Sequence, residues 1–295
     1  MGGASCGEQV REELRRGGGG EENLMSASRI RKITVRQFGF TVLSLARRGL
    51  KEPPDELWEL LELQKLNLSL NSLKSLPAPL AQLRNLEVLN LCGNQLSSLP
   101  PEIGELKKLR VLFAYRNHLT EVPEELGSCT QLEVLSLANN QLSSLPASLC
   151  SLTRLRKLNL SQNQMLHLPG AVYSMKALVF LHLAGNRLEN LAENLQSLTE
   201  LKILIVEGNN LHSLPKGLCC LTRLELLNLD FNDIKDVPEE TTEELQQEKK
   251  NEKWSLTAEK LQKEKKQKKN KKSKKQQEKN QRNRSGEKEV EGTTE

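Results

Sequence analysis

Aromatic residues are scarce in this chain, where Phe, Trp and Tyr together make up only 3% of 295 residues. Charged residues reach 27%, and leucine supplies most of the apolar content. Aromatic side chains dominate the energetics of many compact cores because each one buries a large apolar area. A core made mostly of one aliphatic side chain therefore argues against a compact catalytic domain and favours a repetitive architecture.

Signals for metal binding, secretion and membrane insertion are also missing. The six cysteines form no Cys-x-x-Cys pair and have no histidine at metal-ligand spacing. The first residues are polar and charged, and no apolar run has the length of a secretory signal or a membrane span. These absences predict a reduced, cytoplasmic location, with no metal and no cofactor.

A period of 23 residues runs through the chain from Phe40 onward. Nine copies follow one pattern, with apolar residues at slots 1, 4, 6 and 11, Asn at slot 9, Leu at slot 14 and Pro at slot 15. The copy at residues 86–108, LEVLNLCGNQLSSLPPEIGELKK, fills every slot. The first copy departs from the pattern with Arg48 at slot 9. The other copies form an asparagine column: Asn71, Asn94, Asn117, Asn140, Asn163, Asn186, Asn209 and Asn232.

Proline confirms the frame independently of leucine. Eight of the eleven prolines occupy slot 15: Pro54, Pro77, Pro100, Pro123, Pro146, Pro169, Pro215 and Pro238. Proline cannot donate a backbone hydrogen bond, so it is suited to start the return segment outside the sheet. Slots 3 to 7 predict a short strand whose residues at slots 4 and 6 point inward and whose residues at slots 3, 5 and 7 point outward.

Stacking solves the problem that one copy cannot bury its own leucines. Neighbouring copies then form a parallel sheet, and the slot-9 amides can satisfy buried backbone groups of adjacent copies. The predicted fold is an α/β solenoid, a leucine-rich repeat horseshoe with a parallel concave β-sheet and disordered ends. We predict a leader at 1–32, an N-terminal cap and degenerate first repeat at 33–62, repeats at 63–246 and a charged Lys-rich disordered or helical tail at 247–295.

The short-loop Leu-Pro repeats resemble the intracellular 23-residue leucine-rich repeat class, which occurs in Ras-suppressor and scribble-type proteins. The resemblance covers roughly residues 40–238. It implies the solenoid fold and no established activity. Catalytic motifs are also absent: the four histidines occupy different slots, and no nucleophile elbow or phosphate loop is present. We therefore predict that the chain is not an enzyme.

The outward positions of the predicted strands, slots 3, 5 and 7, form the concave surface that we call the strand face. Three of the nine aromatic residues point outward from it, and exposed apolar clusters often mark contact sites. Apolar residues are also common on such sheets simply as good strand formers. The first predicted patch contains Val111, Phe113, Tyr115 and Arg116. The second contains Phe180, His182, Ile203 and Ile205, with Glu207 and Asp230 as an acidic edge.

Both ends of the chain leave alternatives open. Residues 258–284 hold thirteen Lys or Arg and three Glu, a local charge of +10, so the tail favours solvation or a weak polyanion contact. A nuclear or ribosome-associated protein held to RNA by this tail is one alternative function. The other is a peripheral membrane adaptor acylated at Gly2 and Cys6, although Cys6 stands where the myristoylation pattern has Ser or Thr.

The function that we predict first is that of a monomeric protein-binding scaffold or adaptor, whose partner the sequence does not identify.

Overall fold

The computed structural model describes residues 27–235 of the chain. They form two compact units. The first unit continues to Asn159 and also includes Pro169–Met175. The second unit consists of Leu160–Leu168 and the residues from Lys176 onward.

The first unit begins with a small cap. Helix α1 (Ala27–Ile33) leads into β1 (Val35–Gln37), which pairs antiparallel with β2 (Phe40–Ser44). The two-residue connection, Phe38 and Gly39, has positive φ at both positions, 50° and 82°. Two such residues match the right-handed twist of a hairpin, so this turn folds β1 back along the edge of the sheet.

Five further strands of the first unit follow in chain order and are all parallel to β2. They are β3 (Lys65–Asn67), β4 (Val88–Asn90), β5 (Val111–Phe113), β6 (Val134–Ser136) and β7 (Lys157–Asn159). Residues that face each other on neighbouring strands are 23 positions apart, as in the pair Leu66 and Leu89. The middle leucine of every strand points inward and is buried. Full burial of one leucine side chain contributes about 2 kcal/mol, so stacking supplies the core that one copy lacks.

These strands are shorter than the sequence predicts, because they end at slot 5 rather than slot 7. Leu68, at slot 6 after β3, still donates its N–H to the Asn90 carbonyl at 2.8 Å. Its carbonyl, however, accepts hydrogen bonds from Nδ2 of Asn71 at 2.8 Å and of Asn94 at 3.0 Å. The asparagine amides thus take the acceptor that a longer parallel strand would use.

Each return segment of the first unit contains a five-residue 3₁₀ helix, and its preceding residue is the slot-15 proline. These helices are Asp55–Glu59, Ala78–Gln82, Pro101–Glu105, Glu124–Ser128, Ala147–Ser151 and Gly170–Ser174. Pro100, for example, is extended at φ −71° and ψ 145°. Proline fixes φ near this value, so the extended chain changes to a helical turn at the same place in each copy.

The second unit repeats the same design over three parallel strands. They are β8 (Phe180–His182), β9 (Ile203–Ile205) and β10 (Leu226–Asn228), with 3₁₀ helices at Glu193–Ser197 and Lys216–Cys220. Ala192 stands at slot 15 before the first of these helices, and it is extended at φ −76° and ψ 157°. Proline therefore favours the return geometry but is not required for it.

The cap begins earlier than the leader boundary predicted at residue 32, because α1 already starts at Ala27. Ile30 on this helix is fully buried, and Trp58 on the first 3₁₀ helix is almost fully buried. Arg31 and Glu59 form an exposed ion pair of 3.7 Å between the same two elements. The helix thus covers apolar surface at the first repeat. Within residues 27–235, no helix is long and apolar enough to cross a membrane.

Candidate functional site

The strand face is built from side chains that alternate with the buried leucines. On β5, Leu112 is buried while Val111 and Phe113 are partly exposed, so the two flanking residues point away from the core. Tyr115 continues the outward series, and the backbone pairing continues with it. Its carbonyl accepts the Gly93 N–H at 3.0 Å. The strand geometry thus brings the outward members of the first patch to one surface.

The two aromatic rings of the first patch contact each other edge to face. Their centroids are 6.4 Å apart and the ring planes make an angle of 74°. The register places Asn90 and Ser136 beside Phe113, and both are smaller than the ring. Arg116 follows Tyr115 and is exposed, with φ at 55°. The patch therefore presents a preorganised aromatic pair with a cation next to it.

Tyr115 also contacts the preceding repeat through its hydroxyl group. A hydrogen bond with the Cys92 side chain raises the pKa of Tyr115 above its ordinary value, and burial raises it less. Cys92 itself is buried. The phenol therefore stays neutral at physiological pH, and its ring is held by a contact on one side. This restraint lowers the entropy that Tyr115 would lose on binding a partner.

The second patch lies on the strand face of the second unit. Phe180 and His182 contact each other edge to face with ring centroids 6.1 Å apart. Burial lowers the pKa of His182, and the charge of Glu207 opposes that shift. Glu207 accepts a hydrogen bond of 3.0 Å from Nδ2 of Asn228. Ile203 and Ile205 stand beside the two rings on β9, so the predicted members of this patch do share one surface.

The asparagine column occupies the same structural position in both units. In the first unit, Asn117 accepts the Leu96 N–H at 3.1 Å and donates to the carbonyls of Leu91 and Ala114, each at 3.1 Å. In the second unit, Asn209 accepts the Leu188 N–H at 3.0 Å and donates to two corresponding carbonyls. The column is structural because its polar atoms point into the repeat and not toward a ligand.

Sequence reasoning missed the left-handed backbone at slot 8, directly after the outward slot 7, although it placed one slot-8 residue, Arg116, in the first patch. Every slot-8 position of the described repeats has positive φ, including Arg116, Leu70 at 57° and Phe231 at 54°. Phe231 is 80% exposed, and it adjoins Asp230 of the second patch. The signal was present, since three copies have glycine at slot 8: Gly93, Gly185 and Gly208. Glycine recurring at one slot indicates a left-handed conformation there.

The remaining points from the sequence concern metal binding and the two ends of the chain. Within residues 27–235, no cluster of three or more His, Cys, Asp and Glu residues has the geometry of a metal site. The candidate acylation residues Gly2 and Cys6 lie outside the described residues, as does the basic run at 258–284. The strand face is thus the candidate site that the structure describes.

A family model for the leucine-rich repeat region matches residues 40–161 and 124–280, which is more than half of the chain. The chain belongs to the leucine-rich repeat family. Its solenoid fold, with stacked parallel strands and 3₁₀ return turns, agrees with that membership. No curated protein matches the sequence.

Several solved leucine-rich repeat structures are similar to this chain. The Leptospira interrogans protein LIC12759 is 34% identical over 75% of this chain, with a TM-score of 0.65, and the chain spans only 61% of that protein. A chain of the Toll–Spätzle complex of Drosophila is 28% identical over 66% of this chain and 27% of its own length, with a TM-score of 0.59. The repeat domain of the type III effector XopL is 25% identical, covering 79% of this chain and 83% of its own, with a TM-score of 0.57.

Proposed function

We propose that this leucine-rich repeat protein is a non-enzymatic, protein-binding scaffold or adaptor that receives its partner on the strand face. The observation that carries the proposal is the partly exposed aromatic pair Phe113 and Tyr115. The rings are large compared with their neighbours in register, and burying them against a partner would remove apolar area from water. Similarity to a chain of the Toll–Spätzle complex, a protein–protein assembly, supports the same class of function.

The charges around the first patch indicate which chemical groups a partner would place against it. Among the described strand-face positions of the first unit, the charged residues are Lys65 and Lys157, and none is Asp or Glu. Arg116 adds a further cation beside the aromatic pair. Tyr and Arg are enriched among residues that dominate binding energy. We infer a partner with an apolar anchor flanked by carboxylates, because opposite charges around an apolar centre favour correct docking.

The test is the double variant Phe113→Ala, Tyr115→Ala in the full chain. Both side chains point outward, so we expect the melting temperature to stay within a few degrees of the parent. We expect loss of most protein partners that co-purify with the parent, measured by affinity capture and mass spectrometry. The matched control is Leu61→Ala with Leu166→Ala, which removes two exposed apolar side chains outside the strand face.

Each other outcome has a defined meaning. An unfolded double variant would show that the rings pack the fold and do not form a binding surface. A folded variant that retains every partner would exclude the first patch and transfer the proposal to the patch around Phe180 and Ile205. Loss of partners in the Leu61 and Leu166 control as well would show a general effect of removing apolar surface.

We also propose a closer relationship within the family. The segments LQKLNLSLNSL, VLNLCGN, CLTRLELLNL and FLHLAGNRLENLAENLQSL resemble leucine-rich repeat-containing protein 30. That resemblance implies the fold and no activity, so it adds nothing to the functional proposal. We propose separately that the protein is monomeric and cytoplasmic.

A second candidate function follows from the thirteen Lys or Arg residues at 258–284. Such a run binds RNA and other polyanions by releasing counterions, so the binding weakens steeply with salt. Deletion of residues 258–295 should then abolish retention on heparin, whereas the parent should elute at moderate salt. Retention that survives the deletion would exclude the tail as the polyanion-binding segment.

A further inference from the structure

The strand face of the second unit carries a continuous apolar row. Phe180, Ile203 and Leu226 face one another at slot 3 of three successive strands. Leu226 is 39% exposed, and the other two are partly exposed. Ile205 lies two residues beyond Ile203 on the same side of β9. Four large apolar side chains therefore share one small surface, and burying them would be favourable.

Two carboxylates border this apolar row at slot 7. Glu207 and Asp230 occupy matching positions of neighbouring repeats, and the Gly208 N–H donates to the Asp230 carbonyl at 2.8 Å. Neighbouring strands are about 4.8 Å apart, so the two acidic residues are neighbours at this edge of the strand face. A cationic side chain placed beside them would be attracted by both negative charges.

Two other carboxylates of this unit contrast with that pair. Glu225 contacts Lys202 at 2.7 Å, and Glu200 forms an ion pair with Arg223. Those pairs lie at slots 2 and 23, outside the strand face. Within residues 27–235, no Lys, Arg or His nitrogen lies within 4.0 Å of Glu207 or Asp230. The surface thus combines an apolar row with two carboxylates that form no ion pair within the described residues, although Glu207 accepts a hydrogen bond from Asn228.

Phe231 adds an aromatic ring next to the acidic pair. It is 80% exposed and has φ at 54°, where the two preceding repeats have Gly185 and Gly208. A left-handed conformation costs a non-glycine residue about 1–2 kcal/mol. The repeat imposes this conformation at slot 8, but the exposed ring gains nothing from the repeat core, so its apolar area is available to a contact outside the repeat.

The chain itself contains a segment with the complementary chemistry. Beyond Lys235 the sequence has a single aromatic residue, Trp254, with Lys253 directly before it and Leu256 two residues after it. Lys253 lies 18 positions after Lys235, and an extended chain of that length spans up to about 60 Å. Crossing β8 to β10 requires only about 10 Å. Segment 253–261, KWSLTAEKL, therefore has the length and the charge to reach this surface.

We propose that segment 253–261 docks on the second patch of its own chain. Lys253 lies against Glu207 and Asp230, and the side chains of Trp254 and Leu256 cover the apolar row. An intramolecular ligand acts at an effective concentration on the order of millimolar, so weak contacts suffice. An external partner of this surface then has to displace the segment. The inference concerns the second patch alone, and it holds whether or not the first patch binds a protein.

The test uses the full chain labelled with 5-fluorotryptophan. The chain has two tryptophans, and Trp254→Phe assigns the two ¹⁹F resonances. Trp58 is buried and serves as an internal reference. We expect the solvent isotope shift of Trp254, measured between H₂O and D₂O, to be nearly as small as that of Trp58. Ile203→Asp should raise the shift to that of an exposed indole, while the matched slot-3 variant Val88→Asp should leave it small.

A charge exchange provides the second variant in case Ile203→Asp disturbs the fold. Glu207→Lys with Asp230→Lys should release Trp254, and adding Lys253→Glu should restore its small isotope shift. A full isotope shift in the parent would overturn the proposal, as would a small shift that persists in both the Ile203 and the double charge variants. An isotope shift that rises on dilution would also overturn it, because the contact would then lie between two copies of the chain.

Discussion

Asn140 and Leu119 are joined across neighbouring repeats, since Oδ1 of Asn140 accepts a hydrogen bond of 3.0 Å from the Leu119 N–H. Nδ2 of the same residue donates to the carbonyl of Ala114 at 3.0 Å and to that of Leu137 at 2.9 Å. One buried amide thus satisfies backbone groups of two repeats. Because the amide provides both donors and an acceptor, neither Leu nor Asp could replace it without leaving a group unpaired.

The first prediction compares two members of the asparagine column. Asn140→Ala should lower the free energy of unfolding by about 1–3 kcal/mol, because it leaves buried backbone groups unpaired. Asn232→Ala should cost less. Asn232 makes the same pattern of bonds, including one of 3.0 Å from the Leu211 N–H, but it is only half-buried. Water can therefore replace the lost partners. Urea unfolding measures both variants, and equal losses would contradict this account.

The sequence predicted the repeat geometry well because each slot has one dominant physical requirement. Leu112 had to point inward and Phe113 outward once the strand was recognised. The end of each strand at slot 5 was not predictable in the same way. It depends on the Leu68 carbonyl, which accepts hydrogen bonds from asparagine amides of two different repeats. This competition for the carbonyl acceptor is visible only in the assembled structure.

Two other features escaped prediction for different reasons. Helix α1 is short and has no acidic residue in its first turn, so its sequence gives only a weak helix signal. Burial of Ile30 against the first repeat stabilises it instead. The exposure of Phe231 was missed because outward positions were assigned from the strand alternation at slots 3, 5 and 7, which does not extend to slot 8. The identity of the partner of the strand face could not be predicted either, because it depends on the chemistry of another molecule.

The second prediction concerns the close stacking of two return segments in the first unit. A Cβ added at Gly127 would lie 2.5 Å from the Ser148 carbonyl oxygen, which is backbone and cannot move aside easily. Gly127→Ala should therefore lower the melting temperature by several degrees, as overpacking commonly costs about 1–3 kcal/mol. Differential scanning calorimetry measures the change.

Gly170→Ala is the matched control for Gly127→Ala. Gly170 also lies in a 3₁₀ helix of the first unit, and a Cβ there would meet nothing within 4 Å. Alanine restricts the unfolded chain more than glycine does, so this control should be neutral or slightly stabilising. A similar loss at both positions would show that the backbone conformation, and not the close approach to Ser148, decides the outcome.

The third prediction concerns a buried thiol. Burial raises the pKa of Cys129 from 9.0 to about 11, with Lys107 opposing the shift, and the thiol contacts the Ile103 carbonyl at 3.2 Å. The unfolded chain therefore loses this proton at a lower pH than the folded chain. The stability that this thiol contributes is complete below pH 9 and falls by about 2 kcal/mol as the pH rises to 11.

Chemical denaturation between pH 8 and 11 tests this dependence. Other groups titrate over the same range, so the relevant quantity is the difference between the parent and Cys129→Ala. The variant should lose less stability across this interval than the parent. At pH 8 the native Cys129 should also resist alkylation, whereas the exposed Cys150 should react. Identical pH dependence in the two proteins would rule out a buried neutral thiol as the cause.

The fourth prediction concerns His182 of the second patch. Burial lowers its pKa below the ordinary 6.5, while the negative charge of Glu207 raises it. The unfolded chain therefore takes up this proton first, and the related stability is complete above pH 6.5 and is lost as the pH falls through the folded pKa. In an NMR titration, His182 should show a midpoint below 6.5. Glu207→Gln should lower that midpoint further, because the opposing charge is gone.

Glu200→Gln is the matched control, because its native carboxylate pairs with Arg223 outside the strand face, and it should leave the His182 midpoint unchanged. A midpoint that rises in Glu207→Gln would show that the carboxylate does not act on the imidazole, and the acidic edge would then be electrically separate from the aromatic part of the patch.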